Sequence, residues 1–162
     1  MKLILIKLSR LTIYVNGTVD GLAMFIRGPG EYRVVNIGKA EFQFSVAHLV
    51  PKLMHTFNSK FLAVYTPCNQ MNEDDLVEAL AKVHIEYILT HPFGEGNGRL
   101  SRLLANIMAL QADFPMLDFS YMDKNKEDYF LAVQAGLDND KPMQAVFKQV
   151  LHDSLLNAGD SV

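Results

Sequence analysis

Tryptophan is absent from this 162-residue chain, and cysteine occurs once, at Cys68. A lone thiol excludes an internal disulfide, and without a partner thiol it fits a reducing cytosol. No apolar run is long enough to span a bilayer. Met1 to Leu8 is broken by Lys2 and Lys7 and followed by Ser9-Arg10, and it lacks the small-residue cleavage site of a secretory leader. An excess of basic charge is missing too: the formal net charge is −3, which argues against general nucleic-acid binding. There is no internal repeat, low-complexity tract or dividing linker, and no Gly-x-x-x-x-Gly-Lys-Ser/Thr phosphate loop. The glycines do not follow a predicted strand at dinucleotide-binding spacing. His84 and His91 have no cysteine or acidic partner at zinc spacing. These absences leave a cytoplasmic protein that neither enters a membrane nor binds nucleic acid. With 49% hydrophobic residues, it can bury the core of one domain over residues 1–162 without cross-links.

What is present concentrates in residues 91–102, His-Pro-Phe-Gly-Glu-Gly-Asn-Gly-Arg-Leu-Ser-Arg. A histidine, a carboxylate, a glycine cluster and two arginines fall within about one loop and one helical turn. They match the needs of nucleotide chemistry: a base, a metal ligand, backbone donors for phosphate oxygens and fixed positive charge. Taken singly, each has a plainer explanation: glycines make turns, a histidine caps a helix, and paired arginines cover a solvated face. Their coincidence in twelve residues favours a phosphate site.

Local pattern places this segment between two helices within a core spanning 72–112. Asn72 is a predicted N-cap, and Glu73, Asp74 and Asp75 put negative charge in the first turn, where the helix dipole favours it. Leu76, Leu80, Val83 and Tyr87 recur as an inward stripe, and Glu78 and Lys82 pair four apart on a solvated face. Pro92 disfavours helical geometry at His91 and so ends the helix there. Beyond the loop, Leu100, Leu103, Leu104, Ile107 and Met108 resume helical spacing. Gly94, Gly96 and Gly98 let the backbone approach a ligand at the start of this second helix, a ready anion site. Arg99 and Arg102 share a face there. Against the dipole they cost about 0.3–1 kcal/mol each, a penalty that a multiply charged anion would reverse. Downstream, over 125–157, helices are predicted from Asn125 to Gly136, with Tyr129, Val133 and Phe130 inward, and from about Pro142. The second carries a stripe of Met143, Val146, Phe147, Val150 and Leu151, read as core.

Residues 91–102 resemble the signature of Fic domains, His-Pro-Phe-x-Asp/Glu-Gly-Asn-Gly-Arg-x-x-Arg, matched at every defined position. More loosely the likeness covers about residues 30–150. The resemblance implies a mainly α fold: a Fic-type helical bundle with a β-hairpin flap over the active-site loop. It also implies AMPylation, in which AMP passes from Mg²⁺-bound ATP to a hydroxyl of a target protein and pyrophosphate leaves. By the same resemblance His91 is the general base, Phe93 anchors the loop, and Glu95 holds Mg²⁺. Gly94, Gly96, Asn97 and Gly98 line the anion hole, and Arg99 and Arg102 hold the β- and γ-phosphates. Other donors on the same fold, for phosphoryl, uridylyl or phosphocholine transfer, and a non-catalytic binding module are the alternatives. Gly96-Asn97-Gly98-Arg99 departs from the Ala-Asn-Lys-Arg version of Doc-like phosphotransferases and so favours AMP.

The flap, within 30–46, is identified with Gly30-Glu31-Tyr32-Arg33 and the segment after it. Tyr32 to Ile37 reads as a strand, Gly38 to Glu41 as a turn, and Phe42 and Phe44 as a same-face pair. A target segment is expected to dock along Ile37, Gly38, Lys39, Ala40, Glu41 and Phe42 by strand addition. Members of the family often carry a tryptophan just before this stretch; here Arg27-Gly28-Pro29 stands instead, and residues 1–25 do not resemble the family's preceding helices. The restraining motif Ser/Thr-x-x-x-Glu-Gly/Asn of many members is missing as well. No Ser or Thr has Glu four residues later, and the nearest match, from Ser154, has Ala158 in the glutamate position. The expectation is either an unrestrained chain or a separate antitoxin-like partner supplying the glutamate; assembly into a homo-oligomer is a further expectation.

Overall fold

The computed structural model describes residues 4–8, 11–15, 32–39 and 41–159, and over them the chain is mainly helical. Strands β1 (Ile4–Leu8) and β2 (Leu11–Val15) pair antiparallel, Ile4 opposite Val15 and Leu8 opposite Leu11. Strands β3 (Gly38–Lys39) and β4 (Phe42–Gln43) form a second, smaller hairpin, Gly38 opposite Gln43 and Lys39 opposite Phe42. A 3-10 turn, Ala47–Leu49, leads into α1 (Val50–Phe57), which runs on through a π-helical stretch, Asn58–Leu62, into α2 (Ala63–Tyr65). There follow α3 (Glu73–Thr90), α4 (Asn97–Gln111), α5 (Ser120–Lys124), α6 (Lys126–Ala135) and α7 (Lys141–Gly159). Among the described residues, no helix is long and apolar enough to cross a membrane.

Helix α3 is the axis of the bundle and begins as its sequence predicts. The Asn72 side chain accepts the Asp75 N–H at 3.0 Å, and three carboxylates occupy the first turn. Leu76, Leu80, Val83 and Tyr87 are all buried. So are Val77, Ala79, Ala81, His84, Ile85 and Ile88, because α3 meets α1, α4, α6 and α7 on different sides. Burial of a large apolar side chain contributes roughly 1.5–3 kcal/mol, so this helix fixes everything attached to its ends. Helix α7 buries the expected Met143, Val146, Phe147, Val150 and Leu151 against it.

The flap differs from expectation. Tyr32 to Ile37 is not a strand. Its backbone is held elsewhere, with the Arg33 N–H donating to the Pro92 carbonyl at 3.0 Å and the Arg33 side chain turned under the loop. Gly38 and Lys39, expected within the turn, are strand residues, and the reversal falls between Lys39 and Phe42. Ala40 lies outside the described residues, as do Gly30 and Glu31 of the family-like stretch and residues 27–29 before it.

Candidate active site

Helix α3 ends at His91 in a left-handed turn, φ 47°, ψ 61°, with the His91 N–H still bonded to the Tyr87 carbonyl at 3.0 Å. A side chain in that region costs on the order of 1–2 kcal/mol, so something must hold it there. Phe44, just after the flap, lies flat on the imidazole, ring centroids 4.0 Å apart and planes 18° apart. Burial lowers the pKa of His91 and the charge of Arg33 lowers it further, while the Ile88 carbonyl pulls the other way. Nδ1 is buried and makes no hydrogen bond of good geometry, so that carbonyl acts electrostatically, through space. The result is a neutral imidazole at pH 7, fixed in place, as a base requires.

Phe93 is buried with its ring 5.9 Å from that of Tyr32. Between Phe93 and Arg99 the loop makes one tight reversal, closed by Asn97. The Asn97 carboxamide accepts the Phe93 N–H at 3.0 Å and donates to the Phe93 carbonyl at 2.8 Å, and the residue is 2% exposed. The side chain expected to add a donor beside a phosphate thus also braces the loop. Gly96 sits at φ 82° as the N-cap of α4, a conformation that needs glycine, and no side chain caps the helix. The first N–H groups of α4 therefore lack intrahelical acceptors and point outward from its start. At Gly94 and Gly98 an added Cβ would meet nothing within 4 Å. Among the described residues, packing gives no reason for glycine at either position.

Glu95 and Arg99 are exposed at the mouth of this loop. Arg102 is on the same side of α4, but engaged. Its guanidinium makes a forked pair with Asp123 of α5, Nη2 to Oδ1 at 2.7 Å and Nη1 to Oδ2 at 3.2 Å, and lies 5.2 Å from the centre of the Phe119 ring. That pair is the main reason the Asp123 carboxyl is held below its usual range. Across the site the hairpin is pinned to α6: Phe42 meets Phe44 edge-on at 5.4 Å and Phe130 at 5.8 Å, and the Lys39 ammonium lies 4.9 Å from the Phe130 ring centre. Of the expected flap residues, Phe42 thus reaches the His91 ring through Phe44, and Lys39 packs on α6.

A model of the Fic/DOC family matches residues 7–109, well over half of the chain. The chain belongs to the Fic/DOC family. Protein adenylyltransferase fic-1 of Caenorhabditis elegans is 28% identical over 102 residues, 54% of this chain and 20% of that protein. This Fic chain therefore spans about a fifth of the length of that relative. Its fold resembles that of a Fic domain-containing signaling protein from Bacteroides thetaiotaomicron, with TM-score 0.67, 20% identity and coverage of 86% and 60% of the two chains. It also resembles the effector BepC from Bartonella tribocorum, solved with AMPPNP, with TM-score 0.62, 21% identity and coverage of 73% and 56%. The mainly helical Fic fold is thus shown on both sequence and structure.

Arg33 is the site-adjacent residue whose part the sequence does not reveal. It is 6% exposed and its side chain reaches four backbone carbonyls. The sequence places it in the family-like stretch Gly30-Glu31-Tyr32-Arg33 but does not show which groups its side chain binds. Ser154 is buried, donating to the Val150 carbonyl and accepting the Asp118 N–H, so it ties α7 to a loop. Among the described residues no group of three or more His, Cys, Asp or Glu side chains could cage a metal.

Proposed function

We propose that this Fic domain transfers AMP from ATP to a hydroxyl side chain of a target protein. One observation carries the reading: a neutral histidine, locked at a helix end, stands across one loop from an uncapped helix N-terminus flanked by two arginines. The target's O–H proton passes to His91. With Nδ1 buried, Nε2 is the nitrogen left to take it, and the Ile88 carbonyl favours the tautomer that carries its proton on Nδ1. The freed oxygen attacks the α-phosphorus, the bond to the bridging oxygen of the β-phosphate breaks, and pyrophosphate departs. The N–H groups at the start of α4 receive charge developing on the phosphate oxygens, and Arg99 and Arg102 hold the outer phosphates. In-line positioning and charge neutralisation supply most of the catalysis in such transfers. That BepC was solved with bound AMPPNP supports a nucleotide as the ligand of this domain.

A single exposed carboxylate suits magnesium, which binds through one or two carboxylates and the substrate's phosphates rather than in a protein cage. Glu95 would hold the ion, which when bound neutralises charge on the departing pyrophosphate. The target would lie along the flap. A separate glutamate-bearing partner for Arg102, antitoxin-like, belongs to the same proposal.

The test is ATP labelled at the α- or the γ-phosphate, incubated with Mg²⁺ and cell lysate in the presence of wild type or His91→Ala. We expect protein-bound label from the α-position only, lost in the variant while ATP binding by calorimetry persists. Label from the γ-position, or equal labelling by the variant, overturns AMP transfer with His91 as base.

A further inference from the structure

The last carbonyls of a helix have no partner within it, and those of α3 lead directly to the base. Here four consecutive carbonyls, of residues 89 to 92, all accept from two residues flanking the hairpin. Ser45 takes Leu89, through its N–H at 3.1 Å and its Oγ at 2.9 Å. Arg33 takes the next three: its Nη2 donates to Thr90 at 3.3 Å, its Nε to His91 at 2.6 Å, and its N–H to Pro92 at 3.0 Å. The same guanidinium reaches the carbonyls of Val35 and Ser45, on either side of the hairpin. Its charge also lies at the negative end of the α3 dipole, where α3 itself has no basic residue in its last turn. Phe44, adjacent to Ser45, then covers the imidazole.

We propose that Arg33 and Phe44 are positioning residues for His91: Arg33 fixes the backbone of the left-handed turn, and Phe44 fixes the plane of the ring. The hairpin and the base are therefore one unit. Whatever grips the hairpin tip is mechanically connected to His91 through Phe42, Phe44 and the two capping residues. This assignment rests on the proposed transferase reading for its kinetic consequence, but not for its geometric one. A lysine at 33 keeps the charge and loses the planar fork that serves several carbonyls at once. A leucine at 44 keeps apolar contact and loses the flat face.

The experiment follows Arg33→Lys and Phe44→Leu by two independent readouts. The first is the NMR titration of the His91 ring, which needs no activity. Wild type is expected to titrate below the ordinary imidazole range with one sharp resonance. Phe44→Leu should move the midpoint up toward that range, because the covering ring that excludes water is gone; Arg33→Lys should broaden or split the signal as the turn loosens. Arg33 is the charged group that acts on the ring among the described residues. The second readout is AMP transfer. Each variant should lower kcat about 10- to 100-fold with the KM for ATP within about threefold, as expected when a base is displaced by a fraction of an ångström and the phosphate site is not. If both variants leave the His91 titration and kcat unchanged, the proposal is wrong. It is also wrong if ATP binding falls as far as kcat does, which marks a general structural prop. If Arg33→Lys does not fold, Phe44→Leu decides alone. If wild type transfers no AMP, the function proposed above fails, and the titration still decides this one.

Discussion

Arg102 and Asp123 show how much one side-chain pair can alter a site. Their fork is well formed, but 34% and 54% of the two side chains remain exposed. Pairs this exposed are worth about 0–1 kcal/mol. Asp123 therefore occupies the arginine expected at the γ-phosphate without blocking it. The pair was not legible because residues 102 and 123 meet only through the packing of α5. Asp123→Asn should leave the melting temperature nearly unchanged and tighten ATP up to about fivefold, the equivalent of at most ~1 kcal/mol. AMP, with no outer phosphate to compete for Arg102, should bind as before. Titration calorimetry with both nucleotides checks this; equal effects on the two would mean that Asp123 shapes the pocket and does not compete for it.

At the level of elements, α3, α4, α6 and α7 could be read from the sequence because each carries an apolar stripe and a recognisable start. The segment Tyr32 to Ile37 was misread for a physical reason: β-propensity counts residue types, whereas a strand needs a partner, and here the Arg33 N–H pairs with the carbonyl of Pro92 in a distant loop. Helix α5 and the π-helical stretch are five residues each, too short to show a period. The loop motif was legible, whereas the bracing of the loop by the Asn97 side chain on Phe93 was not. Gly136 was legible only as the end of α6, and the structure gives it a second role. A Cβ there would lie 2.4 Å from Cγ2 of Ile85, so its absence lets the end of α6 approach α3. Ile85 is buried, and three of its side-chain atoms crowd the same point. Gly136→Ala should then destabilise by about 1–3 kcal/mol, as overpacked cores do, in spite of the better helix propensity of alanine. In an Ile85→Ala background, where that crowding is gone, Gly136→Ala should cost less than it does in the wild type. Urea unfolding of the two single variants and the double checks this; strict additivity would sink the contact.

Over the whole molecule, the helices α3, α6 and α7 converge on one polar side chain, His84. Its Nε2 lies 2.8 Å from the Tyr129 hydroxyl, its ring meets Phe147 edge-on at 5.2 Å, and its Nδ1 is buried without a partner. Burial, with a smaller push from the Arg102 charge, lowers its pKa to about 3. In the unfolded chain the same histidine titrates near ~6.5, so between these values the unfolded state binds a proton that the folded state refuses. The stability that His84 contributes is therefore complete above pH 6.5 and is lost as pH falls toward about 3. The slope is roughly 1.4 kcal/mol per pH unit in that window. His84→Gln removes the titrating group while keeping a side chain able to bond Tyr129. At pH 7 the variant should be the less stable, because the glutamine fills the space against Phe147 poorly. The deficit should shrink steadily below pH 6.5 and reverse near pH 5, where protonation of the unfolded wild type has overtaken the packing loss. The acidic residues titrate in both proteins, so the difference between the two denaturation curves isolates His84. A difference that stays constant from pH 7 to 4 would show that the folded protein accepts the proton, and that the junction of the three helices is open to water.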